Sequence, residues 1–495
     1  MTLVTLQPRL LGLTLCLALL AGCMAGPDFL RSTNELGAVD LAPRVSYADR
    51  PRAMPAPVPA QWWTLFNDPL LAELEVRAQT DNLDLQLSSA RIEQSRAQLG
   101  IVSSQSLPTF ASGASYAREA LSEHGKFAAL GAPTQPSEFW QLGFDATWEI
   151  DLWGRARRAR EGANAALDGA AYDREAARVT LAAEVARTYL QLRGTQAQLD
   201  IAHQNLAVAE RMLAIAESRE HNGVATRFET LSAGAQLAAS KASIPELIQR
   251  RNLLMNALAS LLGAQPRTLD AQLRESMPLP LPPEPVPTGI PSELARRRPD
   301  ILSAEAQLHA ATAAIGVAKA DFYPRVGLKG RVGVEAFEAD ELGTWDSRQF
   351  SVGPTVYLPI FQGGRLQQRL ALNEAKQKAA ALRYRQTVLR AWHEIDNALD
   401  AWAAQRSQYA QLSISYEQNK QAFHTAQRGY QQGAADYLSV LTAQRDLLSS
   451  QTRLNASATN ATLTLVNLFK ALGGGWNPDE LATAMARPNP QGAHE

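Results

Sequence analysis

The chain has little cysteine, no excess of charge of one sign and no long apolar run. Its 495 residues hold two cysteines, Cys16 and Cys23, both near the amino end, so neither a disulfide framework nor a cysteine-based zinc cluster can be built. With 48 Lys+Arg against 49 Asp+Glu, the formal net charge is -1, which gives no basic field to gather nucleic acid. Beyond the amino end no segment approaches the roughly eighteen consecutive apolar residues of a membrane helix, which excludes a helical integral membrane protein. Catalytic signatures are also missing. There is no Gly-x-Ser-x-Gly, phosphate-binding loop or dinucleotide fingerprint, and His393-Glu394 lacks the second histidine of a zinc-protease helix. The seven histidines are scattered. An exported lipid-anchored hydrolase would need clustered polar residues, and no such cluster, metal-ligand set or cofactor motif is found, so the chain reads as no enzyme. A composition of 46% apolar and 20% charged residues excludes a disordered chain.

The amino end carries an export signal. Arg9 supplies a positive start, and Leu10 to Ala21 forms an apolar run of signal-peptide rather than membrane-spanning length. It ends in Leu20-Ala21-Gly22-Cys23, where small residues admit a peptidase and the Cys23 thiol can accept lipid. This resembles the bacterial lipoprotein lipobox, with an ordinary signal peptide as the alternative. Acyl chains on Cys23 would anchor the mature chain, each buried methylene adding about 0.8 kcal/mol. Met24 follows, where an Asp would favour inner-membrane retention in that family, so outer-membrane lipid is the expected anchor site.

The remaining sequence repeats itself. Gly223-Val224-Ala225-Thr226 aligns with Gly433-Ala434-Ala435-Asp436 at an offset that also pairs Gly154-Arg155 with Gly364-Arg365 and Leu262-Gly263 with Leu472-Gly473. The chain therefore divides into a signal peptide over 1–22, a lipid-anchored strap over 23–69, and a first repeat of helices plus a β-hairpin over 70–275. A Pro-rich linker over 276–291, a second such repeat over 292–475 and a tail over 476–495 complete it.

Each repeat changes period along its length. Trp140, Leu142, Phe144, Ala146, Trp148, Ile150 and Leu152 alternate with Gln141, Asp145, Thr147, Glu149 and Asp151. Val326, Leu328, Val332 and Val334 alternate with Arg325, Lys329, Arg331 and Glu335. Phe350, Val352, Val356, Leu358 and Ile360 form a third such run, and Phe110, Ala114 and Tyr116 a weaker fourth. Period two with one apolar and one polar face predicts strands of the length that crosses a membrane when tilted. A soluble sandwich fits these strands equally well.

The helices decide between them. From Gly154 to about Glu220, and from Gly364 to about Gln432, no proline interrupts. Val185, Leu192, Leu199, Leu206 and Leu213 recur every seventh residue, as do Ile395, Trp402, Tyr409, Tyr416 and Phe423. Such heptads predict supercoiled helices on the order of 100 Å long at 1.5 Å per residue. Shorter returning helices are expected near 226–262 and 436–472, the first kinked at Pro245, with further helical stretches near 70–104 and 292–320. Four strands cannot close a barrel in lipid, where each unpaired edge group costs several kcal/mol, so several chains must share one. Three chains would give twelve strands and a wet lumen, and two would give eight, a barrel that side chains tend to fill. A purely structural spacer would explain the helices but not the amphipathic strands.

At this point the chain resembles the TolC-like outer-membrane factors, in particular the NodT-type efflux lipoproteins. Cys23 through Phe29, Trp62-Trp63 through Leu70, Pro291 through Ile301, Phe322-Tyr323-Pro324, and Gly433 through Arg445 carry the resemblance. It implies a mainly α fold with a β-barrel portion: a homotrimer whose twelve-stranded barrel in the outer membrane continues into a long α-helical barrel across the periplasm. It further implies a passive exit duct in a tripartite efflux system. The partners would be a periplasmic membrane-fusion adaptor and an inner-membrane transporter of the proton-driven RND type. Type I protein secretion is the alternative, with a lipid on Cys23 as the sole added group. The resemblance places adaptor contacts at the tips, Gly223, Val224, Ala225, Gly433, Ala434 and Ala435. It makes Tyr430, Asp436, Ser439, Thr442 and Arg445 the gate candidates. Ser439 and Thr442 stand where related chains often carry a constricting Asp ring, and Asp436 lies nearer the turn.

Overall fold

The computed structural model describes residues 24–30, 53–54, 58–280, 286–287, 297–477 and 481. The signal peptide, Cys23, most of the strap and parts of the linker and tail lie outside the described residues. The chain forms two units. Among the described residues, no helix is long and apolar enough to cross a membrane.

One unit, drawn from residues 24–30, 91–170 and 303–385, is built on a four-stranded antiparallel sheet. Its strands are β1 (Thr109–Glu119), β2 (Ser137–Ile150), β3 (Arg325–Ala336) and β4 (Arg348–Tyr357), paired in the order β1-β2-β3-β4. Each repeat gives one hairpin, and the two meet where Phe144 pairs with Val332. The register keeps the two faces distinct. Ser112, Phe144, Val332 and Phe350 form one row across the sheet, and Ala111, Asp145, Arg331 and Ser351 form the next row on the opposite face. On the first face Phe110, Phe350 and Val352 are 78%, 83% and 74% exposed. A sandwich core would bury these side chains, so that alternative fails. On the other face Arg331 lies 3.9 Å from Asp145, and Gln141 Nε2 donates to Glu335 at 3.4 Å. Among the described residues both outer strands have a single neighbour.

The other unit, drawn from residues 53–54, 58–90, 171–280, 286–287, 297–302, 386–477 and 481, is helical. Helix α1 (Pro69–Asp81) starts where sequence chemistry dictates: Asp68 accepts from the N–H groups of Leu70 at 2.9 Å and Leu71 at 3.1 Å, with proline at the first helical position. Asn82 separates it from α2 (Leu83–Ser104), accepting from Leu85 N–H at 3.0 Å and donating to the Leu261 carbonyl at 2.8 Å. The long helices α3 (Arg155–His221) and α6 (Arg365–Gln431) each have 67 residues, about 100 Å at 1.5 Å per residue. They return as α4 (Arg227–Leu261) and α7 (Tyr437–Ala471), and α5 (Pro299–Ala320) precedes β3. Pro245 sits inside α4, which runs through it as one element. Ala53–Met54 and Val286–Pro287 make a short parallel pairing.

The core of this unit packs Trp62, Trp63, Leu71 and Leu74 on Val185, Tyr189, Leu192, Leu465 and Phe469. Val185, Leu192 and Leu199 of the predicted stripe are buried, while Leu206 and Leu213 are half-buried. The small residues three places on, Thr188, Thr195, Ala202, Ala209 and Ala216, are all buried. Small side chains bring neighbouring helices close and leave larger ones at the rim of the seam. Farther along, α3 and α7 meet through a neutral polar stretch. Asn455 Nδ2 donates to the Gly194 carbonyl at 2.9 Å, and Gln198 Nε2 donates to Thr452 at 3.2 Å.

Candidate functional site

The turns joining the long helices to their return helices are built alike. Gly223 and Gly433 have φ of 73° and 74°, the left-handed region that suits glycine. In each turn two N–H groups fold back on the helix end: Gly223 to Glu220 and Val224 to Arg219, both 2.9 Å, and Gly433 to Tyr430 at 3.1 Å and Ala434 to Gly429 at 2.8 Å. This satisfies carbonyls that a helix terminus otherwise leaves free. The return helices are then capped. Thr226 and Glu229 form a reciprocal capping box on α4, and Asp436 accepts from Ser439 N–H at 2.8 Å on α7. The Ser439 hydroxyl and N–H together hold the Asp436 carboxyl below its ordinary range.

The interior of the tip is asymmetric. Tyr430, at the end of α6, is 1% exposed, and its phenol donates to Glu229 Oε2 on α4 at 2.9 Å. The Arg219 guanidinium of α3 lies over the Tyr430 ring at 4.6 Å and donates to the Tyr430 carbonyl at 3.4 Å. Tyr437 of α7 packs on Tyr430 with ring centroids 5.7 Å apart. Three of the four helices thus converge on one tyrosine, and the fourth touches its ring. Met212, Ala216, Phe423, Val440 and Leu441 complete a small apolar cluster around it. Burial, and then the Glu229 carboxylate, push the Tyr430 phenol up to about 12. Tyr437 is raised by the same two causes in the same order.

Of the residues singled out from sequence, Gly223, Val224, Gly433 and Ala434 are exposed at the tips, and Ala225 and Ala435 are half-buried. Tyr430 is the buried centre. Asp436 and Ser439 are engaged with each other in the cap, and Thr442 and Arg445 are exposed along α7. Cys23 lies outside the described residues. Arg219, Glu229 and Tyr437 escaped the sequence reading. A signal existed in the divergence of the repeats: at the offset pairing Gly223 with Gly433, Arg219 faces Gly429, Glu220 faces Tyr430 and Glu229 faces Ser439. One copy supplies charge and the other supplies aromatic rings. The tip exposes apolar side chains among its polar ones, with Val224, Phe228, Leu231 and Leu438 all at least 60% exposed.

The outer membrane efflux protein family matches residues 74–264 and 290–474. The chain belongs to that family. It is 33% identical over 454 residues to the pyoverdine export outer membrane protein OpmQ of Pseudomonas putida, spanning 90% of this chain and 95% of that one. It is 31% identical to the outer membrane protein OprJ of Pseudomonas aeruginosa, over 93% and 95% of the two chains. Nodulation protein T of Rhizobium leguminosarum is 29% identical over 96% and 97%. Among solved structures, the outer-membrane channel OprN superposes with a TM-score of 0.83 at 33% identity, over 92% of this chain and all of that one. The CmeC channel of Campylobacter jejuni gives 0.84 at 25%, over 94% and 98%. As an outer membrane efflux protein the chain is a channel component of an efflux system and not an enzyme. It has the TolC-like fold, with a helical barrel and a β-barrel portion, and it resides in the outer membrane and extends into the periplasm.

Proposed function

We propose that the chain acts as a homotrimer, in which three copies of the four-stranded sheet close one twelve-stranded barrel. The observation that carries this reading is the sheet itself. Among the described residues its apolar face is bare, its other face is polar, and each outer strand lacks a second neighbour. Unpaired edges cannot sit in lipid, and a ring of copies pairs every edge with no free end. Twelve strands leave a lumen that side chains do not fill, lined by the row of Asp145, Arg331 and Ser351. Acylation at Cys23 adds the membrane anchor, and no other cofactor enters.

Flow through the duct is passive. A periplasmic adaptor engages the tips around Val224 and Leu438, and an inner-membrane pump of the proton-driven RND type supplies the energy. The tyrosine-centred cluster is the gate: Tyr430 holds α6 against α4 through Glu229 and against α3 through Arg219, so parting the helices requires breaking those contacts. Planar-bilayer recording tests this. Wild-type protein should conduct rarely, and Tyr430→Phe combined with Glu229→Gln should conduct persistently. A double variant that stays as closed as the wild type would remove the gate from the tip.

A further inference from the structure

Two aromatic side chains interrupt the polar face of the sheet at one end. That face carries Thr147, Asp145 and Gln141 on β2 and Lys329, Arg331 and Glu335 on β3. One step past the last pair of these strands, Trp140 with Ala336, stand Phe139 and Phe337. Strand alternation puts both on the polar face, and their rings meet there, centroids 5.7 Å apart with the planes at 54°. Each repeat supplies one ring. Phe337 is 62% exposed, so the following loop leaves it open. The helices join the sheet near Thr109, Ile150, Arg325 and Tyr357, which places the two rings at the opposite end, beside the hairpin loops 120–136 and 337–347.

The charge around the rings has one sign. Glu335 lies two residues back on the same face, about 7 Å along the strand. Among the described residues its carboxylate accepts from the Gln141 amide at 3.4 Å and has no cation of the chain as partner. Beyond Phe337 the loop to Ser347 holds Glu338, Asp340, Glu341 and Asp346 and no lysine or arginine. Arg348 follows, but it pairs with Val334 on the apolar face, and its guanidinium lies over the Trp345 ring. Behind Glu335 the next row on the polar face is Gly113, Gly143 and Gly333, which projects no side chain. The rings and the carboxylate therefore border open space.

We propose that Phe139, Phe337 and Glu335 form a station at the outer mouth of the lumen for organic cations that carry an aromatic ring. This rests on the shared-barrel reading, which turns the polar face to the lumen and the hairpin loops to the exterior. Ring faces attract a cation and stack with another ring, and an unpaired carboxylate supplies the opposite charge. An alkyl cation keeps only part of that attraction, and an aromatic anion is repelled by the carboxylates. Three copies place three such stations around one mouth.

The test is equilibrium dialysis of the full-length protein in phosphatidylcholine nanodiscs, with empty nanodiscs as the blank. The probes are benzyltriethylammonium, tetrapropylammonium and benzenesulfonate. The wild type should retain benzyltriethylammonium at concentrations about fivefold below those needed for either other probe. Phe139→Ser with Phe337→Ser should bring the two cations level. Glu335→Gln should weaken both cations alike and leave benzenesulfonate unchanged or better retained. Tyr116→Ser alters the aromatic pair that Tyr116 makes with Trp140 on the apolar face, at 4.4 Å, and should keep the wild-type order. Unheated gel mobility checks that each variant assembles. If the double variant does not, Phe337→Ser alone, at the more exposed ring, gives the reading.

Equal retention of the three probes by the wild type would overturn the proposal. So would ring variants or Glu335→Gln that bind as the wild type does. Loss of the preference in Tyr116→Ser alone would move binding to the lipid face and equally overturn it. Light scattering on the same samples separates this failure from that of the barrel. A three-chain particle without the preference removes only the station, whereas a single-chain particle removes the shared barrel and the station with it.

Discussion

The phenol of Tyr430 donates to Glu229 Oε2 at 2.9 Å, joining the end of one repeat's long helix to the start of the other repeat's return helix. The bond spans 201 positions of sequence and is shielded by Arg219 and Tyr437. A hydrogen bond to a charged group contributes about 1.5–3 kcal/mol when its partners are held in place. Tyr430→Phe removes it and keeps the ring under Arg219, so the fraction of time open should rise by at least about tenfold. Tyr430→Ala, which also empties the cluster, should open the channel further. Single-channel recording of both variants checks the order wild type, Phe, Ala.

The same bond sets a pH response. Burial and the Glu229 carboxylate raise the folded phenol to about 12, above its ordinary value near 10. The neutral phenol is therefore favoured in the closed tip. The stabilisation is fully present below pH 10 and is lost as pH rises through about 12. Tyr430 should contribute no change in closure between pH 6 and 9 and a progressive opening above pH 10 that is absent in Tyr430→Phe. Conductance at pH 7, 9 and 11 in the two proteins gives the comparison.

Glu75 of α1 is fully buried in the core, and neither carboxyl oxygen has a hydrogen-bond partner among the described residues. Burial raises its titration well above the ordinary range, and the nearby Ala186 backbone offsets only part of this. Because the folded value is raised, the folded state loses stability as pH rises above the unfolded value of about 4.3. Glu75→Gln should therefore stabilise the protein at neutral pH, by on the order of 1–3 kcal/mol, and should flatten the fall in stability above about pH 4.3. Thermal unfolding at several pH values reads both effects. A variant less stable than the wild type at pH 7 would contradict the expectation.

Phe350 and Ser351 are neighbours in β4 that point to opposite faces. Phe350→Arg places a charge on the bare apolar face, which costs about 2–4 kcal/mol per chain near the middle of a bilayer. Ser351→Arg adds the same charge to the polar face. The first should reduce the yield of detergent-resistant oligomer severalfold, and the second should assemble normally. Gel mobility without heating separates the outcomes, and equal yields would assign the faces wrongly.

Much of this architecture was legible because it is local. Alternation at Trp140–Ile150 and Val326–Val334 sets strands and faces, and the absence of proline from Gly154 to the Gly223 turn sets a long helix. Glycine before a polar capping residue ends each turn, as Gly223-Val224-Ala225-Thr226 and Gly433-Ala434-Ala435-Asp436 show. The heptads found the right helix face but not its depth, because Thr188, Thr195 and the alanines after them take the closest approach. The tip latch was not legible. Tyr430, Glu229 and Arg219 belong to three helices, and no periodic signal in one helix reports which residue of another will oppose it. Asp436 illustrates the converse: its place after a helix turn makes it a cap by local chemistry, whatever it contributes to the constriction.

The most direct test is the number of chains in one particle. Light scattering of the detergent-purified protein, corrected for bound detergent, should give a protein mass three times that of the mature chain. A particle holding a single chain that still conducts in bilayers would show that four strands can seal themselves, and the shared barrel would have to be abandoned.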